Sequence, residues 1–203
     1  MHDPPQAGRC PRCFLAAAAC LCADLCPVAN RVHVAIVRHA QERKKTSNSA
    51  RLAALILERV SLHEVGLEGQ PFDDTGLIDP GHTWLLFPEG DVPCAPVVPP
   101  RRIIVLDGNW PQARRMRQRI AALRGLPVVR LPAPAEHRPR LRTPPSAGAM
   151  ATIEAIAAAL ALCGEPDAAA ELNRIYDLAV ERTHVSSRRG YKGRPLAGPR
   201  SDA

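Results

Sequence analysis

The chain predicts an α/β domain, a mostly parallel sheet covered by helices, with a small cysteine-rich unit at its N-terminus. Three observations predict it. Mainly apolar runs at Val32 to Val37, Trp84 to Phe87, Ile103 to Leu106 and Val128 to Leu131 suit strands buried on both faces. Between them lie segments with apolar residues at helical spacing, so strands and helices alternate. Five of the seven cysteines fall between Cys10 and Cys26.

In chain order, residues 1–30 form a cysteine knuckle, 31–190 the main domain and 191–203 a basic, flexible tail. The first strand ends in Arg38-His39. Thr46-Ser47-Asn48-Ser49 then supplies helix caps, and Leu52, Leu55, Ile56 and Val60 repeat at helical spacing. Gly66 to Pro80 reads as a loop. Trp84 to Phe87 is a short strand broken by Pro88-Glu89-Gly90, and the proline-rich segment from Pro93 to Pro100 is a surface connection. Ile103 to Leu106 is the central strand. Asn109 caps the next helix, Pro111 suits its first turn, and Ala113, Met116, Ile120 and Leu123 make its buried stripe. After the strand at Val128 to Leu131, a helix runs from Ala151 to Cys163 and stops at Gly164. Pro166 opens a last helix, and beyond Arg182 the chain turns basic and glycine-rich, which predicts flexibility.

Cys10-Pro11-Arg12-Cys13 and Cys20-Leu21-Cys22 are two close thiol pairs separated by six residues. Thiolates at this spacing suit a tetrahedral Zn²⁺ with all four positions filled by Cys10, Cys13, Cys20 and Cys22. A closed thiolate shell leaves no position for water, so the ion's role is structural. Cys26 stands near enough in sequence to replace one of the four.

The 203 residues carry a net charge of +7, and the isoelectric point is near 9.4. Between Arg101 and Arg142 stand eleven arginines against two acids, Asp107 and Glu136. Arginine favours bidentate phosphate contacts and stacking on bases, so the expected partner is nucleic acid. No Gly-x-Gly-x-x-Gly and no Gly-Lys-Ser/Thr loop occurs, which argues against an ordinary dinucleotide site or a P-loop. No apolar run is long enough for a membrane span and no secretory signal stands out, so a cytoplasmic protein is expected.

The most informative junction is Ile103 to Arg115. A buried strand ends in Asp107-Gly108, a tryptophan follows at position 110, and an arginine-rich helix begins. In open α/β sheets ligands sit at the carboxyl ends of parallel strands. A carboxylate, a flat aromatic and positive charge therefore meet where a ligand is expected, which suits chemistry on a nucleobase.

The ordered set of segments resembles the DTW-domain family, the tRNA-uridine aminocarboxypropyltransferases. The residues that carry the resemblance are the four paired cysteines, His39 with Asn48-Ser49-Ala50-Arg51-Leu52, Leu85-Leu86-Phe87-Pro88, Asp107-Gly108-Asn109-Trp110 and Ala151-Thr152-Ile153-Glu154-Ala155. Asn109, Ala151 and Ser49 stand where the family has threonine, serine and threonine.

The resemblance implies a fold similar to the SPOUT-type α/β domains, in which the C-terminal part can be threaded as a knot. It implies S-adenosylmethionine as cofactor and uridine in tRNA as substrate. The implied reaction moves the 3-amino-3-carboxypropyl group to uridine N3 and releases methylthioadenosine. On that footing Asp107 is the expected catalytic base or a cofactor ligand. Leu86, Phe87, Pro88, Trp110, Leu131, Thr152 and Glu154 are the remaining expected cofactor contacts. Arg38, His39, Arg114, Arg115, Arg138, Arg140 and Arg142 are the expected RNA contacts, chosen by closeness in sequence to that site. Neither DNA nor a membrane is an expected partner. Two other readings stand beside this one, a SPOUT-type RNA methyltransferase and a non-enzymatic zinc-bearing RNA-binding module.

Overall fold

The computed structural model describes residues 7–91, 98–132, 139–143 and 149–190. Its centre is a five-stranded sheet in the order β2-β1-β4-β3-β5, and every pairing in it is parallel. The strands are β1 (His33–His39), β2 (Val60–Val65), β3 (Thr83–Asp91), β4 (Arg102–Asp107) and β5 (Val128–Val129). The helices are α1 (Ser49–Ile56), α2 (Trp110–Arg119), α3 (Thr152–Leu162) and α4 (Pro166–Gly190).

Side chains alternate across a strand, so β1 and β4 each feed two cores. Val34, Ile36, Ile103 and Val105 pack with α1, α3, α4 and the cysteine knuckle on one face. Ala35, Val37 and Ile104 pack with Ala113, Met116, Ile120 and Leu123 on the other. The central place of β4 and the stripe on α2 agree with the sequence reading. Helix α2 itself ends at Arg119, and Leu123 reaches the core from a following 3-10 turn.

Three elements differ from that reading. Val60 does not continue α1; it opens β2, an edge strand that the helical repeat had hidden. Asn30 explains the change. Its side-chain oxygen accepts from Arg59 N–H at 2.9 Å and its amide donates to Arg59 C=O at 3.0 Å, which draws the chain into an extended path. Strand β3 is not broken at Pro88 but runs on to Asp91. Leu86 and Asp91 both pair with Val129, so residues 87–90 bulge out of the ladder, and there the missing N–H of Pro88 costs no sheet bond. Helix α4 continues past Arg182 to Gly190. Arg182 donates to Cys20 C=O at 2.7 Å and pairs with Asp24, so it anchors the knuckle. Residues 191–203, and most of the proline-rich segment from Pro93, lie outside the described residues.

Helix α1, which follows β1, covers the first face, whereas α2, which follows β4, covers the second. Adjacent strands whose helices depart to opposite faces leave a crevice at their carboxyl ends. Arg38 of β1 and Asp107 of β4 are register partners at that crevice.

Candidate functional site

The N-terminal knuckle brings Cys10, Cys13, Cys20 and Cys22 together, with all four sulfurs within 4.8 Å of one another. Cys10 and Cys22 Sγ are 3.5 Å apart, and Cys13 and Cys20 Sγ 3.9 Å. Zn–S bonds of about 2.3 Å at tetrahedral angles put sulfurs about 3.8 Å apart, so the donor set and its spacing fit Zn²⁺. All four thiols are free, and Cys26 is exposed and outside the group. Phe14 N–H donates to Cys10 C=O at 2.9 Å to close the knuckle. Phe14 holds φ at +67°, an uncommon conformation for a bulky residue.

At the carboxyl edge of the sheet, Asp107 is only 1% exposed. Both its oxygens are held. Asn48 Nδ2 donates to Oδ2 at 2.5 Å and Thr152 Oγ1 donates to Oδ1 at 2.6 Å. Asn48 also caps α1, because its Oδ1 accepts from Arg51 N–H at 3.0 Å. Ser49 Oγ accepts from Ile153 N–H at 3.3 Å and so ties the starts of α1 and α3 together. The segments around Asn48, Asp107 and Thr152 thus converge on one buried carboxylate. Burial pushes the Asp107 pKa up, the Thr152 and Asn48 hydrogen bonds oppose that rise, and the charge of Glu42 adds to it.

The residues that hold this carboxylate in place are themselves fixed. A Cβ on Gly108 would lie 3.0 Å from Gln112 Cβ and 3.3 Å from Met116 Cε, tighter than an ordinary contact, so glycine eases the close start of α2 behind Asp107. Asn109 and Gln112 form a reciprocal capping box. The remaining amide of Gln112 reaches Gln41 Oε1 at 2.7 Å, in the turn after β1. Arg51 donates to Arg43 C=O and Lys45 C=O and shapes the loop that presents Asn48.

The expected cofactor contacts share this edge but differ in availability. Leu86 and Phe87 are buried, Pro88 is exposed, and Trp110 and Leu131 are half-buried. Trp110 meets Phe87 edge to face with centroids 6.2 Å apart. Thr152 spends its hydroxyl on Asp107. Glu154 accepts from Ala151 N–H at 2.6 Å and pairs with Arg140 at 3.0 Å. At the start of α3, Glu154 thus takes the N-cap amide of Ala151 and Ser49 takes the amide of Ile153.

The expected RNA arginines divide sharply. Arg38 is a correction: at 2% exposure, with Glu64 Oε1 2.5 Å away, it is buried in an ion pair and not presented to a phosphate. Arg140 is half-buried, its side chain 8% exposed and paired with Glu154 at 3.0 Å. His39 Nδ1 accepts from Gln41 N–H at 3.2 Å and its ring packs on Gly66, so it caps a turn. Burial lowers its pKa, with Lys45 and Arg115 adding to the effect against Glu42. Arg142 is 44% exposed yet pairs with buried Glu42, and Arg114, 63% exposed, pairs with Glu89. Arg115 is exposed, and Arg138 lies outside the described residues.

Sequence reasoning missed Asn48, Glu42 and Gln112 as builders of the site. Asn48 had a usable signal: a capping asparagine uses only its oxygen, and its two amide hydrogens still need acceptors.

Comparison with known proteins bears on this arrangement. The chain is 30% identical over 174 residues to the tRNA-uridine aminocarboxypropyltransferase 2 of Drosophila melanogaster, covering 79% of this chain and 68% of that one. Among solved structures it is similar to a SAM-dependent rRNA:acp-transferase from Vulcanisaeta distributa, at 22% identity and a TM-score of 0.45, over 78% of this chain and 80% of that one. The family model described as the DTW domain matches residues 7–184. With that match spanning both the cysteine knuckle and the Asp107 junction, the chain belongs to the DTW-domain family.

Proposed function

We propose that this chain transfers the 3-amino-3-carboxypropyl group of S-adenosylmethionine to N3 of a loop uridine in tRNA and releases methylthioadenosine. The observation that carries the reading is the convergence of three family segments on Asp107, in a chain related to a tRNA-uridine aminocarboxypropyltransferase.

The edge fits an adenosyl group in its apolar part. Half-buried Trp110 beside Phe87, with exposed Pro88 next in the chain, offers a flat, greasy surface at this edge, and half-buried Leu131 follows the neighbouring strand β5. These residues, with Leu86, would hold the cofactor. When bound, S-adenosylmethionine supplies an activated carbon and its own leaving group, so the protein has mainly to orient and deprotonate. A C–N3 bond forms, the S–C bond breaks, and the N3 proton needs an acceptor.

Asp107 is the proposed acceptor. Each of its oxygens keeps a lone pair after the bonds from Asn48 and Thr152. A pKa raised by burial makes it a stronger base than an exposed carboxylate. Its 1% exposure favours a second reading, in which Asp107 is a positioning residue that locks the starts of α1 and α3 beside the reacting atoms. Uridine N3 is engaged in pairing inside a helix, so the target is an unpaired or extruded base, which is why a loop uridine is named.

The chemistry is tested by digesting tRNA to nucleosides after incubation with the protein and S-adenosylmethionine. A uridine carrying an added 3-amino-3-carboxypropyl mass is the expected result, and only unmodified or methylated uridine would overturn it.

A further inference from the structure

The opposite, amino end of the sheet holds a basic cavity that the proposed chemistry does not use. It has a volume of about 550 Å³, and its lining includes Arg31, His33, Arg59, Arg101 and Arg102, with Asp79 the one carboxylate among its described lining residues. Arg102 and His33 are register partners at the starts of β4 and β1, so the sheet itself places them.

The guanidinium groups are arranged and underused. Arg31 Nη2 donates to Gly164 C=O at 3.1 Å, and Arg102 Nη1 donates to Gly76 C=O. The nearby carboxylate of Glu165 is engaged by the backbone N–H groups of Arg31 and Val32, at 2.6 and 2.9 Å. Arg102 Nε is buried without a hydrogen-bond partner among the described residues. Arg31, Arg59 and Arg101 are exposed. The local field is positive: burial lowers the His33 pKa, and Arg102, Arg59 and His63 lower it further.

We propose that this cavity binds a backbone phosphate of the RNA substrate, remote from the base that reacts. The inference rests on the function proposed above. Cationic donors with one opposing acid match a phosphodiester, and arginine binds it in a fixed fork. Strand β4 separates this end from Asp107 by about 17 Å, at a rise of about 3.3 Å per residue. The substrate must therefore reach both ends of the sheet. A folded tRNA is large enough to do so, and a free uridine nucleotide is not.

The test compares the wild type with the Arg59→Glu/Arg101→Glu double variant. Neither residue belongs to the Asp107 junction. Binding of full tRNA is followed by anisotropy across a salt series, with S-adenosylmethionine binding as the control for folding. The variant is expected to bind tRNA roughly tenfold or more weakly, with a log K against log salt slope shallower by about 1–2. Cofactor affinity and kcat at saturating tRNA should stay within about twofold of wild type. Unchanged tRNA affinity and slope would overturn the assignment. A wild type that binds tRNA and modifies no uridine overturns the proposed activity alone, and the double variant still decides the cavity. A wild type that binds no tRNA overturns both.

Discussion

The Arg51 guanidinium lies 4.2 Å from the centroid of the Phe14 ring, and this contact joins the cysteine knuckle to the Asp107 junction. Phe14 follows Cys13 directly and is fully buried. Arg51 in turn holds the carbonyls of residues 43 and 45, ahead of Asn48, whose amide binds Asp107. One planar cation thus links the knuckle to the loop that presents Asn48 to the carboxylate. Arg51→Lys keeps the charge but loses the planar stack and the fork. It should cost about 1–2 kcal/mol by urea denaturation. An unchanged midpoint would show that the contact carries no stability.

One Zn²⁺ per chain is expected by elemental analysis of protein prepared without chelator. Cys13→Ser should abolish it, because a three-thiolate shell no longer completes the tetrahedron. Cys26→Ser should retain it, since Cys26 is exposed and outside the group. Metal lost in the second variant and kept in the first would reassign the ligands.

The raised pKa of Asp107 has a definite stability signature. On unfolding, its carboxyl returns to the ordinary range near 4 and releases its proton at a lower pH than in the fold. Between those two values the unfolded state binds fewer protons, so the stability contribution of Asp107 falls as pH rises and then levels off above the folded pKa. The stability difference between the wild type and Asp107→Asn, by denaturation at a series of pH values, should therefore shrink or turn negative as pH rises from the ordinary carboxylate range. A difference that grows with pH would contradict the buried environment. In activity, Asp107→Asn should lose about 10²–10⁴-fold in rate with cofactor and tRNA binding retained, if the carboxylate takes the N3 proton.

Gly108→Ala should be destabilising by about 1–3 kcal/mol, because its Cβ enters the space of Gln112 and Met116. It should also lower activity, since relief of the overlap shifts Asp107 or the start of α2. Circular-dichroism melting and a rate measurement check both parts. A fully active variant with an unaltered melt would show that the turn has slack.

How much of this was legible in the sequence depended on the reach of each signal. Asp107 was readable because an apolar run ends there and parallel strands present ligand sites at such ends. The four cysteines were readable because their spacing is local. Arg38 was misread as an RNA contact because its partner, Glu64, lies directly across the sheet on β2, and β2 had been absorbed into a helical repeat. The pairing of Arg140 was hidden for a similar reason: Glu154 is distant along the chain and nothing local announces it. Long-range pairing decides which arginines are surface, and one-dimensional charge counting cannot see it.

Arg140→Ala is accordingly expected to behave as a stability variant. It removes one charged partner of buried Glu154, which still accepts from Ala151 N–H, so a loss of about 1–3 kcal/mol is expected. At a temperature where the variant remains folded, its tRNA affinity should match the wild type. Weakened RNA binding in a normally stable variant would return Arg140 to the RNA surface.

The most direct measurement follows two labels of S-adenosylmethionine, one in the carboxyl carbon of its methionine part and one in its methyl carbon, during incubation with this protein and tRNA. The account predicts that the carboxyl label enters the RNA while the methyl label leaves with methylthioadenosine. Methyl label in the RNA, with the carboxyl label leaving as S-adenosylhomocysteine, would contradict it and make the protein a methyltransferase.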